Sequence, residues 1–208
     1  MFRRSLTALA VLTLVFLAQA SAPPSFAQSG NQVAIFAGGC FWCVESDFDK
    51  VAGVVSTTSG YIGGSAETAK YKTVSNGGTG HYEAVKIVFD PKKVSYTRLL
   101  HIFWRSVDPT DPGGQFCDRG SSYKTGIFAT TDKHLQQARA SKKKAQKALG
   151  RTIVTPIRKA GRFFAAEGYH QNYYARNPVR YNVYRYGCGR DNRIKALWGS
   201  QAMAGIKH

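Results

Sequence analysis

Acidic residues are scarce in this chain: 12 Asp and Glu stand against 29 Lys and Arg, for a formal net charge of +17 over 208 residues. Cysteine is sparse too, with four in the whole chain. A chain this long buries a core without staples, so four scattered cysteines do not make it a disulfide scaffold. Zinc would want a second close pair, and Cys117 and Cys188 each stand alone. No internal repeat is visible, which excludes a solenoid. The basic surplus favours anionic partners. No nucleic-acid signature accompanies it, and "SKKKAQK" (141–147) reads as the solvated face of a helix, so no nucleic-acid partner is expected.

Long hydrophobic runs are also missing, except at the start. Arg3 and Arg4 precede an apolar segment from Leu6 to Ala20, followed by "PPSFAQ". A basic start, an apolar stretch too short to span a bilayer and a small-x-small site formed by Ser25 and Ala27 make residues 1–27 a secretory signal. Ala20 and Ala22 leave other cleavage points open. The expectation is an exported, periplasmic or secreted protein, with residues 28–208 as one catalytic domain, a net charge still near +15, and no stable membrane insertion after cleavage. A monomer is the default.

What the chain does have is "AGGCFWCVESDF", residues 37–48. "QVAIFAGG" reads as a short strand ended by glycines, and Phe41, Val44, Phe48 and Val51 then recur at helical intervals. Cys40 thus falls where a strand hands over to a helix. Unpaired N–H groups and the positive end of the helix dipole favour a thiolate there. Gly38 and Gly39 would let a substrate approach the backbone. The window alone fits two buried, inert thiols equally well.

Further strands are expected over "GVVSTTSGYIGG", "HYEAVKIVFDP", "TGIFAT" and "TIVTPIRKA". Helices are expected after Ser95, and from the Thr131 region to a stop at Gly150. "DPTDPGGQFCDRGSS" is a long loop of the kind that carries function. Beyond Gly161 the chain turns aromatic and irregular. The pattern predicts an α+β fold, a single-domain two-layer sandwich of ferredoxin-like type with a long irregular C-terminal segment.

Alternation in "HYEAVKIVFDP" puts Glu83 on one strand face with Val85, Ile87 and Phe89. A carboxyl on the core side favours its neutral form and can donate a proton; one at an exposed strand end would do nothing of the kind. A reactive thiol beside a neutral carboxyl can reduce a polar oxide. The acid protonates the oxygen while sulfur attacks.

"GGCFWCVE", "SGYIGG", "GGTGHYEAV", "VFDP" and "DRGSSYKTGIF" together resemble the A-type peptide methionine sulfoxide reductases, over about residues 33 to 188. The resemblance implies that Cys40 is the nucleophile and Glu83 the acid, and that Phe41 and Trp42 cradle the substrate methyl group. It implies that Tyr71, Tyr123 and Asp118 belong to the polar network at the oxygen. Methionine S-sulfoxide would be the substrate and a thioredoxin-like dithiol the partner, with no cofactor and no metal. The resolving cysteine differs among such proteins. Cys43, one helical turn from Cys40, is expected to attack first, with Cys188 on a Gly-flanked segment as the other candidate that relays oxidation to the surface. Cys117 is expected to be a small packing residue, and His81 and His170 to be structural. A thioredoxin-like oxidoreductase remains the rival reading of Cys-x-x-Cys.

Overall fold

The computed structural model describes Met1 and residues 30–207; the expectation of a secretory signal over residues 1–27 falls, apart from Met1, outside the described residues. The chain is α+β. Its main sheet contains β1 (Gln32–Gly38), β2 (Val54–Ile62), β3 (Tyr82–Phe89), β6 (Thr125–Ala129), β7 (Ile157–Lys159) and β8 (Phe163–Ala165), in the order β7-β6-β1-β3-β2-β8. All neighbours are antiparallel except β6 and β7. A separate hairpin pairs β4 (Gly114–Gln115) with β5 (Asp118–Arg119). The helices are α1 (Phe41–Asp49), α2 (Tyr71–Val74), α3 (Tyr96–Trp104), α4 (Asp132–Leu149), α5 (Tyr173–Arg176), α6 (Pro178–Gly187) and α7 (Arg190–Trp198). No helix among the described residues is long and apolar enough to cross a membrane.

The core forms where the period-2 face of the strands meets the period-3.6 faces of α1 and α3. Phe36, Val85, Ile87 and Phe89 from the sheet pack with Phe41, Val44 and Phe48 of α1 and Leu99, Leu100 and Phe103 of α3. Each such side chain, taken wholly out of water, contributes about 2–3 kcal/mol before conformational entropy is set against it. Helix ends follow the sequence. Ser95 accepts the Arg98 N–H, Thr131 accepts the His134 N–H, and α4 stops at Gly150 in the left-handed region, φ 66°.

Two expectations about elements are corrected. The strand in "TIVTPIRKA" is only Ile157–Lys159, because Pro156 has no N–H to give a ladder. The segment beyond Gly161 is not irregular throughout, since it carries β8 and three helices. Their buried positions are Tyr181 on α6 and Arg190, Ile194 and Trp198, one turn apart, on α7. Polar aromatics and arginine on buried faces hide the period from a reading of aliphatic residues.

Carboxylates of α1 hold this segment in place. Glu45 accepts the Asn172 N–H at 3.0 Å, Asp49 accepts the Tyr174 hydroxyl at 2.9 Å, and Asp47 pairs with Arg185 at 2.8 Å. Glu45 and Asp47 are buried, so their bonds answer a desolvation cost that a solvated helix start would not carry. The result is that α5 and α6 lie beside Cys40 and Cys43.

Candidate active site

Cys40 is the N-cap of α1, at the strand-to-helix junction. The two glycines before it have a packing role, which corrects the expected substrate approach. A Cβ on Gly39, whose φ is +81°, would stand 2.5 Å from Gln115 Cβ, and one on Gly38 would stand 2.9 Å from Val107 and Val44. The junction must therefore be bare for Gln115 to pass. That side chain is fully buried and ties Asp108 and Gly114 through three hydrogen bonds.

Glu83 reaches across from β3 and accepts the Phe41 N–H at 3.1 Å, one of the orphan donors of the helix start. The carboxyl is 2% exposed. Burial, with lesser contributions from the negative charges of Asp118 and Cys43, overrides the stabilising Phe41 bond and pushes its pKa up to about 8. Near neutral pH it is mostly a proton-carrying acid.

The thiols behave less simply than a helix start suggests. Burial raises the Cys40 pKa well above the usual thiol range, and its hydrogen bond to Cys43 and the negative charges of Cys43, Glu83 and Asp118 act the same way. The hydrogen bond from Cys40 lowers the Cys43 pKa despite burial, and the Arg190 and Arg185 guanidiniums add to that. Each thiol thus lies within the other's field, and a hydrogen bond links them. The expected depression of Cys40 by the helix N-terminus is outweighed by the loss of water, with Cys43 adding to it.

Cys40, Phe41, Trp42, Tyr71, Glu83, Asp118 and Tyr123 line one cavity of about 70 Å³, joined by Tyr184 of α6. That volume suits the methyl sulfoxide end of a side chain. A larger groove of about 440 Å³ between α3 and α4 is lined by His101, Trp104, Arg105 and Lys144 and holds neither thiol nor carboxyl, so size does not identify the reactive site. Phe41 and Trp42 supply the apolar wall. The Trp42 ring stacks on Tyr173, with centroids 3.8 Å apart, and its indole N–H donates to Nδ1 of His170 at 3.1 Å. His170 itself is buried against the rings of Phe41 and Tyr71. On the polar side, the Tyr184 hydroxyl donates to Asp118 Oδ2 at 2.5 Å, and burial raises the Asp118 pKa. Burial pushes Tyr71 up to about 12 and moves Tyr123 upward as well, so both hydroxyls stay protonated as donors.

The remaining sulfurs are placed differently. Cys43 sits behind Cys40 on α1, free and 2% exposed. Cys188 is bonded to Cys117, 71 residues earlier. This corrects the expectation that Cys117 is a packing residue. Among the described residues, Cys117, Asp118 and Cys188 form a cluster of metal-type donors, but both sulfurs are committed to each other. Tyr184 and Tyr173 escaped sequence reasoning. A signal existed in the helical spacing of Tyr184 and Cys188, legible only if α6 is recognised as a helix.

Comparison with known proteins identifies the family. A family model described as "Peptide methionine sulfoxide reductase" matches residues 32–202. Peptide methionine sulfoxide reductase MsrA 2 of Rhizobium meliloti is 52% identical over 177 residues, covering 85% of this chain and 88% of that protein. MsrA of Bacillus subtilis is 48% identical over 173 residues, covering 82% and 98%. Methionine sulfoxide reductase A of Corynebacterium diphtheriae superposes with a TM-score of 0.67 at 29% identity, over 74% of this chain and 78% of that one. Reduced Mxr1 of Saccharomyces cerevisiae superposes with a TM-score of 0.68 at 30% identity, over 73% and 88%. With a thiol and a neutral carboxyl facing one sulfoxide-sized cavity, and with these relatives along nearly all of the described fold, the chain belongs to the peptide methionine sulfoxide reductase family, A type, whose reaction is thiol-dependent reduction of methionine sulfoxide.

Proposed function

We propose that Cys40 attacks the sulfoxide sulfur of methionine S-sulfoxide while Glu83 gives its proton to the oxygen. The observation that carries this is the meeting of Cys40 and a mostly neutral Glu83 in one 70 Å³ cavity. The methyl group lies against Phe41 and Trp42, and Tyr71, Tyr123 and Asp118 hold the oxygen. The Cys40 proton leaves along its hydrogen bond to Cys43 as the S–S contact forms. Two electrons pass from Cys40 to the substrate sulfur and oxygen passes the other way, which leaves methionine and a Cys40 sulfenic acid. Cys43 then attacks that sulfenic acid, water departs, and a Cys40–Cys43 disulfide forms. The position of Cys43 one turn along α1, already hydrogen-bonded to Cys40, supports it as the resolving thiol, as does the engagement of Cys188 with Cys117. A thioredoxin-like dithiol restores both thiols by exchange.

Export to the periplasm or beyond accords with the signal pattern of residues 1–27, and a disulfide such as Cys117–Cys188 persists most readily in an oxidising compartment. The finer description of the fold as a ferredoxin-like sandwich is supported by the central strand order β6-β1-β3-β2.

The test is a first turnover without any donor. Reduced protein given one equivalent of a methionine S-sulfoxide peptide should release one equivalent of methionine and show a Cys40–Cys43 disulfide by mass spectrometry. Cys40→Ser should release none. A Cys40–Cys188 bond would move the resolving role. If the protein reduces disulfides equally well as Glu83→Gln and never forms methionine, it is a thiol-disulfide oxidoreductase instead.

A further inference from the structure

The tip of the β4–β5 hairpin is held at three successive residues by the C-terminal helices. Phe116, at φ 55°, lies against the Arg190 guanidinium, 4.7 Å from ring centre to Cζ. Cys117 is bonded to Cys188. Asp118 accepts the Tyr184 hydroxyl. Tyr184 and Cys188 are one helical turn apart, so the bond and the hydrogen bond rise from the same side of α6. Arg190 is anchored in turn by the carbonyls of Gly38 and Ser106, at 3.0 and 2.7 Å.

This hairpin has little hold of its own. Its strands are two residues each, and an isolated two-stranded hairpin is at best marginally stable. Its root is closed by the Gly120 N–H bond to Gly113 and the Arg119–Asp111 ion pair, and Gln115, opposite Asp118, is buried, whereas Cys117 at the tip is exposed to water. Asp118 is the one cavity-lining side chain carried by the hairpin; the others ride on α1, α2, β3, α6 and the turn at Tyr123. Its backbone pairs with Gln115, and its carboxyl is set by the Tyr184 hydroxyl beside the Cys117–Cys188 bond.

We propose that the Cys117–Cys188 disulfide is a positioning element for sulfoxide reduction, holding Asp118 and Tyr184 at the oxygen side of the Cys40 cavity so that opening the bond weakens capture of the substrate. The proposal rests on the reaction assigned above to Cys40 and Glu83. The groups that face Glu83 are Cys40 and Cys43 from α1, Asp118 from β5, Tyr61 from β2, Tyr71 from α2 and Tyr123 from the turn before β6. Asp118 is the carboxyl whose negative charge helps keep Glu83 protonated. Retreat of the hairpin tip therefore also lowers the pH at which the acid is lost.

The experiment measures first-turnover methionine formation against the concentration of a methionine S-sulfoxide peptide, with no donor present. Three proteins are compared: wild type with Cys117–Cys188 intact, the Cys117→Ser/Cys188→Ser double variant, and the double variant that also carries Tyr184→Phe. Opening the bond should raise the half-saturating concentration about tenfold, the scale of one hydrogen bond to a charged group, with the limiting rate changed by less than about threefold. The alkaline limb of the pH profile should move to lower pH. Tyr184→Phe should add little in the open background, because the two pins act as one. Should the double variant fold poorly, wild type whose Cys117–Cys188 bond is opened by a limited phosphine treatment, then desalted and checked by mass spectrometry, must show the same rise. An unchanged half-saturating concentration and pH limb with the bond open overturns the proposal, even if the melting temperature falls. So does a loss seen only in multiple turnovers with a dithiol donor, since that marks an electron relay. Wild type that forms no methionine refutes the underlying reaction instead.

Discussion

Glu83 is where opposing influences on a single side chain can be weighed. Desolvation disfavours its charge, the Phe41 N–H favours it, and burial prevails. Glu83→Gln keeps an oxygen to accept that N–H but removes the proton to be donated. First-turnover methionine formation should fall by about 10²–10⁴ at neutral pH, measured by rapid quench. In wild type the rate should decline as pH rises through about 8, and in the variant this limb should vanish. Stability is linked to the same proton. The folded-state pKa lies above the ordinary 4.5, so the folded chain binds more protons between the two values. The stability associated with the neutral carboxyl is complete below 4.5 and is lost as pH rises through about 8. Urea unfolding of Glu83→Gln should therefore depend less on pH across that window. Gly39 decides a steric question. Gly39→Ala meets Gln115 at 2.5 Å in a left-handed conformation and should cost at least about 2 kcal/mol in urea unfolding.

Among the elements, α1 does most to build the site, since its first residues bring the thiol, the apolar wall and the N–H that steadies Glu83. Its existence was readable from the spacing of Phe41, Val44 and Phe48, because one buried helical face leaves a 3.6 period. The caps of α3 and α4 were readable for the same local reason. Ser95→Ala should remove the bond to the Arg98 N–H and lower unfolding free energy by about 1 kcal/mol, with first-turnover activity unchanged. The helices α5 to α7 were not readable in this way. Their hold on the rest of the fold runs through Asp47–Arg185, Glu45–Asn172 and Asp49–Tyr174, contacts that join residues far apart in the chain. The acids of α1, Glu45, Asp47 and Asp49, are the anchors on that side.

Across the whole molecule the positive surplus acts at long range. A net charge of +17 creates a field that speeds encounters with acidic proteins and is screened by salt. Recycling by an acidic thioredoxin-like donor should slow several-fold as salt rises from about 0.05 to about 0.5 M. First-turnover reduction of an uncharged sulfoxide peptide should not slow. Stopped-flow rates at the two salt concentrations check both halves, and equal salt dependence would place the effect in the fold instead of the encounter.

The sequence by itself determined the α+β class, the strand-to-helix junction at Cys40 and the strand face that Glu83 shares with Val85, Ile87 and Phe89; its burial was decided by the tertiary structure. Each follows from short-range rules: a period of two, a period of 3.6, and the residues that end an element. Tertiary structure alone decided that Cys117 pairs with Cys188, that Tyr184 enters the cavity, and that burial raises the Glu83 pKa to about 8. The reason is physical. Pairings and pKa values depend on which distant charges and rings are packed together without water between them, and no local pattern along the chain records that.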